Sequence, residues 1–226
     1  MTMPFYVAPE QVMKDKADYA RKGIARGRSL VGLVYAEGIL LAAENPSRTL
    51  HKISEIYDRI AFAGVGKFNE FDQLRVAGVR HADTKGYAYS REDVDARSLA
   101  NVYAQFLGQV FTHEMKPMEV EILVVEVGPP GSAEDQLYHV LYDGTVFDES
   151  RYSVLGGEAE AIKQRLESDY SEGATLGDAV KVAVTALAGP ERTLTPGELE
   201  VGVLVSSSQR RAFRRIEVEE LATLLG

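Results

Sequence analysis

The chain has 226 residues, 45% of them hydrophobic, a net charge of −9 and no cysteine. This length suits a single domain (residues 1–226) with a sizeable buried core, and a sequence without thiols excludes disulfides, thiolate nucleophiles and thiolate metal sites. Acidic proteins bind nucleic acid poorly, because the phosphate backbone attracts basic surfaces. No apolar run approaches the ~20 residues of a membrane span, and the N-terminus lacks the features of a secretory signal. We therefore expect a cytoplasmic protein with neither nucleic acid nor a membrane as partner.

The N-terminal part of the chain predicts one helix. Residues 1–8 show no clear period, and the helix signal begins at Pro9, a favoured first-turn residue. Apolar residues recur at three- and four-residue spacings through residues 9–26, and Gly27 suits the end of the helix. The other face of this helix is highly charged.

A buried hairpin and a further strand are expected next. Residues 28–45 hold two short apolar runs on either side of Ala36-Glu37-Gly38, which is typical of a hairpin with both strands buried. The next apolar run predicts a strand over residues 57–66. Asn69 is then expected to cap a short helix that ends near Gly78.

The rest of the chain continues with helices and strands in pairs. A strongly amphipathic helix is predicted over residues 90–114, with Ser90 as its cap. Asp143-Gly144 is typical of a hairpin turn, and Thr175 of a helix cap. Further strands are expected at residues 118–127, 136–142, 145–149, 151–157, 198–206 and 211–216, and further helices at 157–168, 176–189 and 217–225. This order predicts an α+β fold with mostly antiparallel pairing.

Motifs for bound groups fail when their spacing is checked. The sequence Gly64 to Lys67 hints at a phosphate loop, but the required earlier glycine and following Ser or Thr are absent. The four histidines are scattered without ligand spacing, so we predict no metal and no cofactor. The basic cluster at residues 210–215 alternates with apolar residues as an edge strand would. A solvated face or a subunit contact explains it better than nucleic acid does.

Four stretches of the sequence carry a family resemblance. They are residues 43–48 (AENPSR), 51–55 (HKISE), 66–72 (GKFNEFD) and 86–105 (GYAYSREDVDARSLANVYAQ). With them the chain resembles the α subunit of the 20S proteasome core particle, in its actinobacterial form. The resemblance implies a four-layer αββα sandwich of the N-terminal nucleophile hydrolase type, with two antiparallel sheets between helix layers.

The resemblance also implies a role and partners. Seven α subunits would form a ring, in which each chain contacts its neighbouring α subunits. This ring would be stacked outside rings of catalytic β subunits. The chain would line and gate a chamber that degrades proteins, including ones tagged with a small modifier protein. Ring-shaped ATPase activators and ATP-independent activators would dock on the ring through their C-terminal tails.

Catalysis is expected to belong to the β subunits of such a particle. There, cleavage of a propeptide exposes a threonine at the start of the first strand, and its α-amine acts as the base. Here no threonine stands near the start of the first strand, at Arg28-Ser29, and a helix precedes it. Glu44 and Lys52 lie about where the β subunits keep an aspartate and a lysine. The alternative is an active hydrolase that uses Ser29 after cleavage behind Arg28.

The activator-tail site implied by the resemblance centres on Lys52. A pocket lysine receives the carboxylate of the tail, and Gly27 and Gly66 shape the pocket; a flexible ammonium suits one carboxylate, and glycine permits close approach. Without the family resemblance, a solvated lysine at a strand end is the favoured interpretation of Lys52, and the resemblance reverses that preference. Lys67 either adds a second cation or points to solvent. Asp18 matches an acidic family position that touches the tail in other branches, and a helix-surface charge is the other interpretation.

The N-terminal tail is the implied gate of the axial pore. Its apolar residues would pack together at the centre of the ring, whereas a disordered chain end is the ordinary alternative. The tyrosine-aspartate-arginine cluster of archaeal and eukaryotic tails is missing here, which puts the open form of the gate in doubt. The gate residues are Met1, Thr2, Met3, Pro4, Phe5, Tyr6, Val7 and Ala8.

Overall fold

A computed structural model describes residues 8–129, 135–207 and 209–226 of the chain. Within these ranges it contains six α-helices and ten β-strands. The helices are α1 (Pro9–Ile24), α2 (Phe68–Ala88), α3 (Ala96–His113), α4 (Ala159–Asp169), α5 (Leu176–Ala188) and α6 (Val218–Leu225). The strands are β1 (Leu30–Tyr35), β2 (Gly38–Glu44), β3 (Ile53–Tyr57), β4 (Ile60–Gly66), β5 (Val120–Glu126), β6 (Gln136–Val140), β7 (Val146–Glu149), β8 (Tyr152–Leu155), β9 (Leu199–Val205) and β10 (Phe213–Ile216).

The strands form two antiparallel sheets of five strands each. One sheet has the order β10-β9-β2-β1-β8 and the other the order β3-β4-β5-β6-β7. One apolar cluster lies between the sheets, a second packs α4, α5 and α6 on the first sheet, and a third packs α2 and α3 on the second. The predicted α+β class and the αββα sandwich with antiparallel sheets are therefore confirmed.

The strands are apolar on both faces because each sheet is covered twice. In β5, Leu123 and Val125 belong to the cluster between the sheets, while Ile122 and Val124 belong to the cluster under α2 and α3. Side chains alternate across a strand, so neighbouring residues serve different layers. This explains the continuous apolar runs in the sequence, which lack the polar alternation of a strand with one wet face.

Two predicted turns and one predicted cap are confirmed. The β1–β2 hairpin turns at Ala36-Glu37, and Leu33 pairs with Leu40 across it. Between β6 and β7, Gly144 has φ +87°, and the Asp143 carboxylate accepts a 2.9 Å hydrogen bond from the Thr145 amide. The Thr175 hydroxyl accepts from the Asp178 amide at the start of α5. Each feature rests on short-range contacts, which explains why local sequence predicted it.

The prediction of one strand over residues 57–66 is wrong. The chain forms a hairpin there, with β3 ending at Tyr57, a turn at Asp58-Arg59 and β4 beginning at Ile60. The turn lacks the glycine that usually marks a tight hairpin, so the sequence signal was weak. The start of β3 follows directly on Lys52, which is the position that matters for the site.

The helix boundaries differ from the predictions, most clearly at α2 and α3. The helix expected to end near Gly78 is α2, which runs to Ala88 and has Lys67, not Asn69, at its N-cap. Ser90 caps a short 3₁₀ turn, and Asp95 caps α3 through the Ser98 amide. The predicted N-terminal helix over residues 9–26 ends two residues earlier. The predicted end at Gly78 is wrong because a glycine near the end of a helical pattern usually indicates a stop, whereas here the helix continues through it.

The helix α1 is fixed to the sandwich through the cluster between the sheets and through α3. Its residues Ala20 and Ile24 belong to the cluster between the sheets. The Lys16 ammonium donates a 3.0 Å hydrogen bond to the Phe111 carbonyl near the end of α3. The chain then passes through residues 25–29 into β1, and this junction carries the candidate site.

Candidate functional site

Lys52 precedes β3 and is tied at both its main chain and its side chain. Its Nζ donates a 2.6 Å hydrogen bond to the Arg28 carbonyl, just before β1. Its amide donates to Oε2 of Glu200 at 2.8 Å. Burial lowers the pKa of Lys52 to about 8, against the opposing charges of Glu200 and Glu44. The side chain is partly buried and oriented, which is not what a freely solvated strand-end lysine would show.

The ammonium of Lys52 keeps donors available. An ammonium has three N–H donors, and the Arg28 carbonyl uses one of them. In the described ranges no carboxylate oxygen lies within 4.0 Å of Nζ, so no ion pair occupies the remaining donors. Two of its three donors therefore remain for an added acceptor, such as a carboxylate.

Gly27 and Gly66 lie against each other beside Lys52. A Cβ on Gly27 would lie 3.0 Å from the Gly66 nitrogen, so the two main chains nearly touch. Gly66 has φ +108°, and a Cβ there would lie 2.0 Å from the Glu119 carbonyl oxygen. The Gly64 amide donates a 3.0 Å hydrogen bond to the Lys52 carbonyl. The structure therefore brings together three residues that are far apart in sequence.

Lys67 adjoins this group through Gly66, whereas Asp18 lies farther away on α1. Lys67 follows Gly66 at the N-cap of α2, is half-exposed, and has its Nζ 3.6 Å from Oε1 of Glu70. Asp18 lies on α1 and has a 3.5 Å ion pair with Arg21, with both side chains exposed to solvent. Among the described residues, no hydrogen bond or ion pair joins either side chain to Lys52. The two residues remain candidates by position only.

The Ser29 region is a polar cavity with its carboxylate already neutralised. Ser29 is buried and lines a cavity of about 390 Å³ together with Glu44. The Glu44 carboxylate pairs with Arg28 and with Arg192, and both arginine side chains are about half exposed. The Ser29 nitrogen is a peptide amide joined to Arg28, so it has no free amine to act as a base. Hydrolysis at Ser29 would need chain cleavage and a rearranged Glu44.

Glu200 is the residue that the sequence analysis missed. Its carboxylate is buried in β9 and contacts the main chain at Lys52 and Ile53. The available signal was a lone acidic residue inside the otherwise apolar run Leu199–Val205. Charged residues are almost never fully buried unless they are paired, so such a residue marks a specific contact.

The predicted gate falls almost entirely outside the described residues. Met1 to Val7 are not described, and Ala8 is exposed at the N-cap of α1.

Within the described ranges, no helix combines the length and the apolar character needed to cross a membrane. The described residues hold no group of three or more His, Asp or Glu side chains that could bind a metal ion.

Comparison with known proteins gives a family match over most of the chain. The family model described as "Proteasome subunit" matches residues 24–204. That range begins at the last residue of α1 and ends in β9, so it includes Lys52, Gly27, Gly66 and Glu200.

Several curated proteins named "Proteasome subunit alpha" are similar to the chain along its full length. The protein from Acidimicrobium ferrooxidans is 63% identical over 226 residues, covering 100% of this chain and 97% of that protein. The protein from Thermobifida fusca is 56% identical, covering 100% and 91%. The protein from Mycobacterium sp. strain KMS is 52% identical, covering 100% and 92%. These matches also include α1, which the family model leaves out.

Proposed function

Because the chain belongs to the proteasome subunit family, we propose that it is a non-catalytic α subunit of a bacterial 20S core particle. Seven copies would form each outer ring, in contact with neighbouring α subunits and with catalytic β subunits in the cytoplasm. The particle would degrade proteins, including ones marked with a small modifier protein. The full-length similarity to proteins named as alpha subunits supports this assignment.

The ring would also dock the C-terminal tails of ATPase and ATP-independent activators at Lys52. One observation carries this part of the proposal: a partly buried ammonium, held by the Arg28 carbonyl, has donors left over beside two closely packed glycines. A terminal carboxylate fits those donors, because a flexible ammonium suits a single carboxylate. A partly buried contact also exceeds the 0–1 kcal/mol typical of exposed ion pairs.

Lys67 and Asp18 would be secondary contacts for the tail. Lys67 is next to Gly66 and would add a second positive charge near the carboxylate. Asp18 is on the outer side of α1 and would meet a side chain of the tail. The N-terminal residues 1–8 would close the pore until an activator docks.

The test is a core particle reconstituted with β subunits and carrying Lys52→Ala. Basal peptide cleavage and ring assembly should be unchanged, because Lys52 makes one side-chain hydrogen bond and belongs to none of the apolar clusters. Stimulation by a tail-bearing activator should need at least about tenfold more activator, as expected when a charged hydrogen bond is lost. Peptide cleavage and negative-stain electron microscopy measure the two properties.

Three controls make the result specific. Lys181→Ala removes an exposed lysine of α5 and should leave stimulation at the wild-type level. A synthetic peptide with the activator's C-terminal sequence should stimulate, and its amidated form should not. Failure of the Lys52→Ala ring to assemble would make Lys52 structural, and unchanged stimulation would refute docking.

The alternative hydrolase is tested with the chain alone. We expect no peptidase activity without β subunits, and no change in the activity of the reconstituted core on Ser29→Ala. Intact mass should show residues 1–28 still attached. Activity of the isolated chain that disappears with Ser29→Ala would refute the non-catalytic assignment.

A further inference from the structure

Glu200 is a buried carboxylate at the start of β9 that has five polar partners. Oε2 accepts from the Asn45 side-chain amide at 2.7 Å and from the Lys52 amide at 2.8 Å. Oε1 accepts from the Ile53 amide at 3.2 Å and from the Arg215 guanidinium, and lies 3.3 Å from Nδ1 of His51. An ionised carboxylate is costly to bury unless such partners satisfy it, and here the partners come from three separate segments.

Three of these five partners, His51, Lys52 and Ile53, belong to the segment that carries Lys52. Glu200 binds the consecutive amides of Lys52 and Ile53, and Arg215 donates a 2.8 Å hydrogen bond to the Ile53 carbonyl. The Glu200–Arg215 pair thus holds this peptide segment from both its donor and its acceptor side. Asn45 adds a 2.8 Å bond from its amide to the Leu50 carbonyl, which fixes the approach to Lys52.

We propose that Glu200 is a positioning residue for activator docking: it fixes the main chain of Lys52 so that the ammonium reaches the Arg28 carbonyl and faces an incoming tail. This inference rests on the docking function proposed above. Glu200 itself does not touch the tail in this proposal. Because it acts through the Lys52 main chain, its role should be visible in the affinity for tails, while peptide cleavage by the β subunits should be unaffected.

The charge of Glu200 contributes as well as its geometry. Three charged groups surround Lys52: Glu200 on β9, Glu44 on β2 and Arg28 before β1. A fourth, titratable group is His51, which precedes Lys52 in the sequence. Among the charged groups that act on the pKa of Lys52, Glu200 has the largest effect. It raises that pKa against the effect of burial. Removing the charge should therefore lower the pKa further and leave less ammonium at neutral pH.

The experiment compares Glu200→Gln with the wild-type chain in the complete core particle. The probe is the synthetic C-terminal peptide of an activator, titrated at several pH values. The concentration for half-maximal stimulation should rise about tenfold, because a charged hydrogen bond to the Lys52 amide is lost. Saturating peptide should still reach the wild-type maximum. The pH at which stimulation disappears should also move lower.

Two further variants separate position from charge and from general damage. Glu200→Asp keeps the charge but shortens the side chain, so half-maximal stimulation should again need more peptide while the pH limit stays close to wild type. Glu55→Gln changes another glutamate, on β3, whose partner is Arg211. That control should match wild type in both readouts.

The outcomes distinguish this inference from the docking proposal. If Lys52→Ala removes stimulation while Glu200→Gln changes neither the half-maximal concentration nor the pH limit, docking stands and the role of Glu200 is refuted. If neither Glu200 variant assembles with normal basal activity, Glu200 is purely structural and the inference is also refuted. If Lys52→Ala has no effect on stimulation, the docking proposal is refuted, and the inference about Glu200 that rests on it is refuted as well.

Discussion

The ammonium of Lys52 is held by a main-chain carbonyl and not by a carboxylate. Its 2.6 Å bond to the Arg28 carbonyl orients it without neutralising it, so the positive charge remains available to a ligand. Nearby, the Glu44 carboxylate is engaged by Arg28 and Arg192, and Glu200 by Arg215. The same arginine pairs that satisfy the buried carboxylates thus keep them from forming an ion pair with Lys52.

The pKa of Lys52 predicts a pH dependence for docking. Burial lowers this pKa to about 8, so the ammonium is present below pH 8 and is lost as the pH rises through that value. A tail carboxylate stays ionised throughout, so stimulation, divided by basal cleavage at each pH, should fall between pH 7 and pH 9. Titration of reconstituted core with the activator peptide measures this.

Arginine supplies the control for that titration, because its guanidinium stays charged over this range. In a Lys52→Arg core, the stimulation that remains should not decline between pH 7 and pH 9. A wild-type profile that stays flat to pH 9 would contradict the lowered pKa.

At the level of elements, the close packing of α2 and α3 depends on one glycine. A Cβ on Gly78 of α2 would lie 1.8 Å from the Tyr103 hydroxyl of α3, and that hydroxyl donates a 3.0 Å hydrogen bond to the Leu74 carbonyl. Burial raises the pKa of Tyr103 far above its ordinary value, so the phenol stays neutral and acts as a donor. The glycine thus allows α2 to continue as one 21-residue helix against α3.

Gly78→Ala should destabilise the chain. The added methyl overlaps the Tyr103 hydroxyl, and overpacking of this kind costs about 1–3 kcal/mol. The free energy of unfolding in urea, followed by circular dichroism, measures the change. Gly108→Ala in α3 is the matched control, since its Cβ would meet only the Asp143 carbonyl at 3.5 Å.

Gly108→Ala should leave stability unchanged or raise it by up to about 1 kcal/mol, the usual advantage of alanine over glycine inside a helix. Equal effects of the two substitutions would show that packing against Tyr103 does not decide the outcome.

For the whole molecule, α1 is the element that joins the tail proposed as the gate to the sandwich. It is held by Ala20 and Ile24 within the cluster between the sheets, and by the bond from Lys16 to α3. Its first turn follows directly on Ala8, so the tail proposed as the gate starts from a fixed point. Docking at Lys52 would lie at the other end of α1, where Gly27 meets Gly66.

Deletion of residues 2–8 should raise basal peptide cleavage by the reconstituted core severalfold. The reason is that apolar Met3, Phe5, Tyr6 and Val7 would no longer pack together over the pore. Combining the deletion with Lys52→Ala should give the same rise, because an open pore no longer depends on docking. Initial rates with a small fluorogenic peptide measure this, and an unchanged rate would place the gate elsewhere.

The sequence by itself determined the class of fold, the Asp143-Gly144 turn, the Thr175 cap and the family, because these depend on short-range patterns and on long specific motifs. It also picked Lys52, Gly27 and Gly66, though only through the family resemblance. It mistook the β3–β4 hairpin for one strand and ended α2 at Gly78, since a turn without glycine and a glycine inside a helix both contradict local rules.

Only the tertiary structure decided what surrounds Lys52. Arg28 is 24 residues away in sequence and Glu200 is 148 residues away, and no local pattern links such distant positions. Their meeting depends on β9 pairing with β2 and on the two sheets packing face to face. Burial at that junction then lowers the pKa of Lys52, because desolvation acts on a charge only after distant segments have enclosed it.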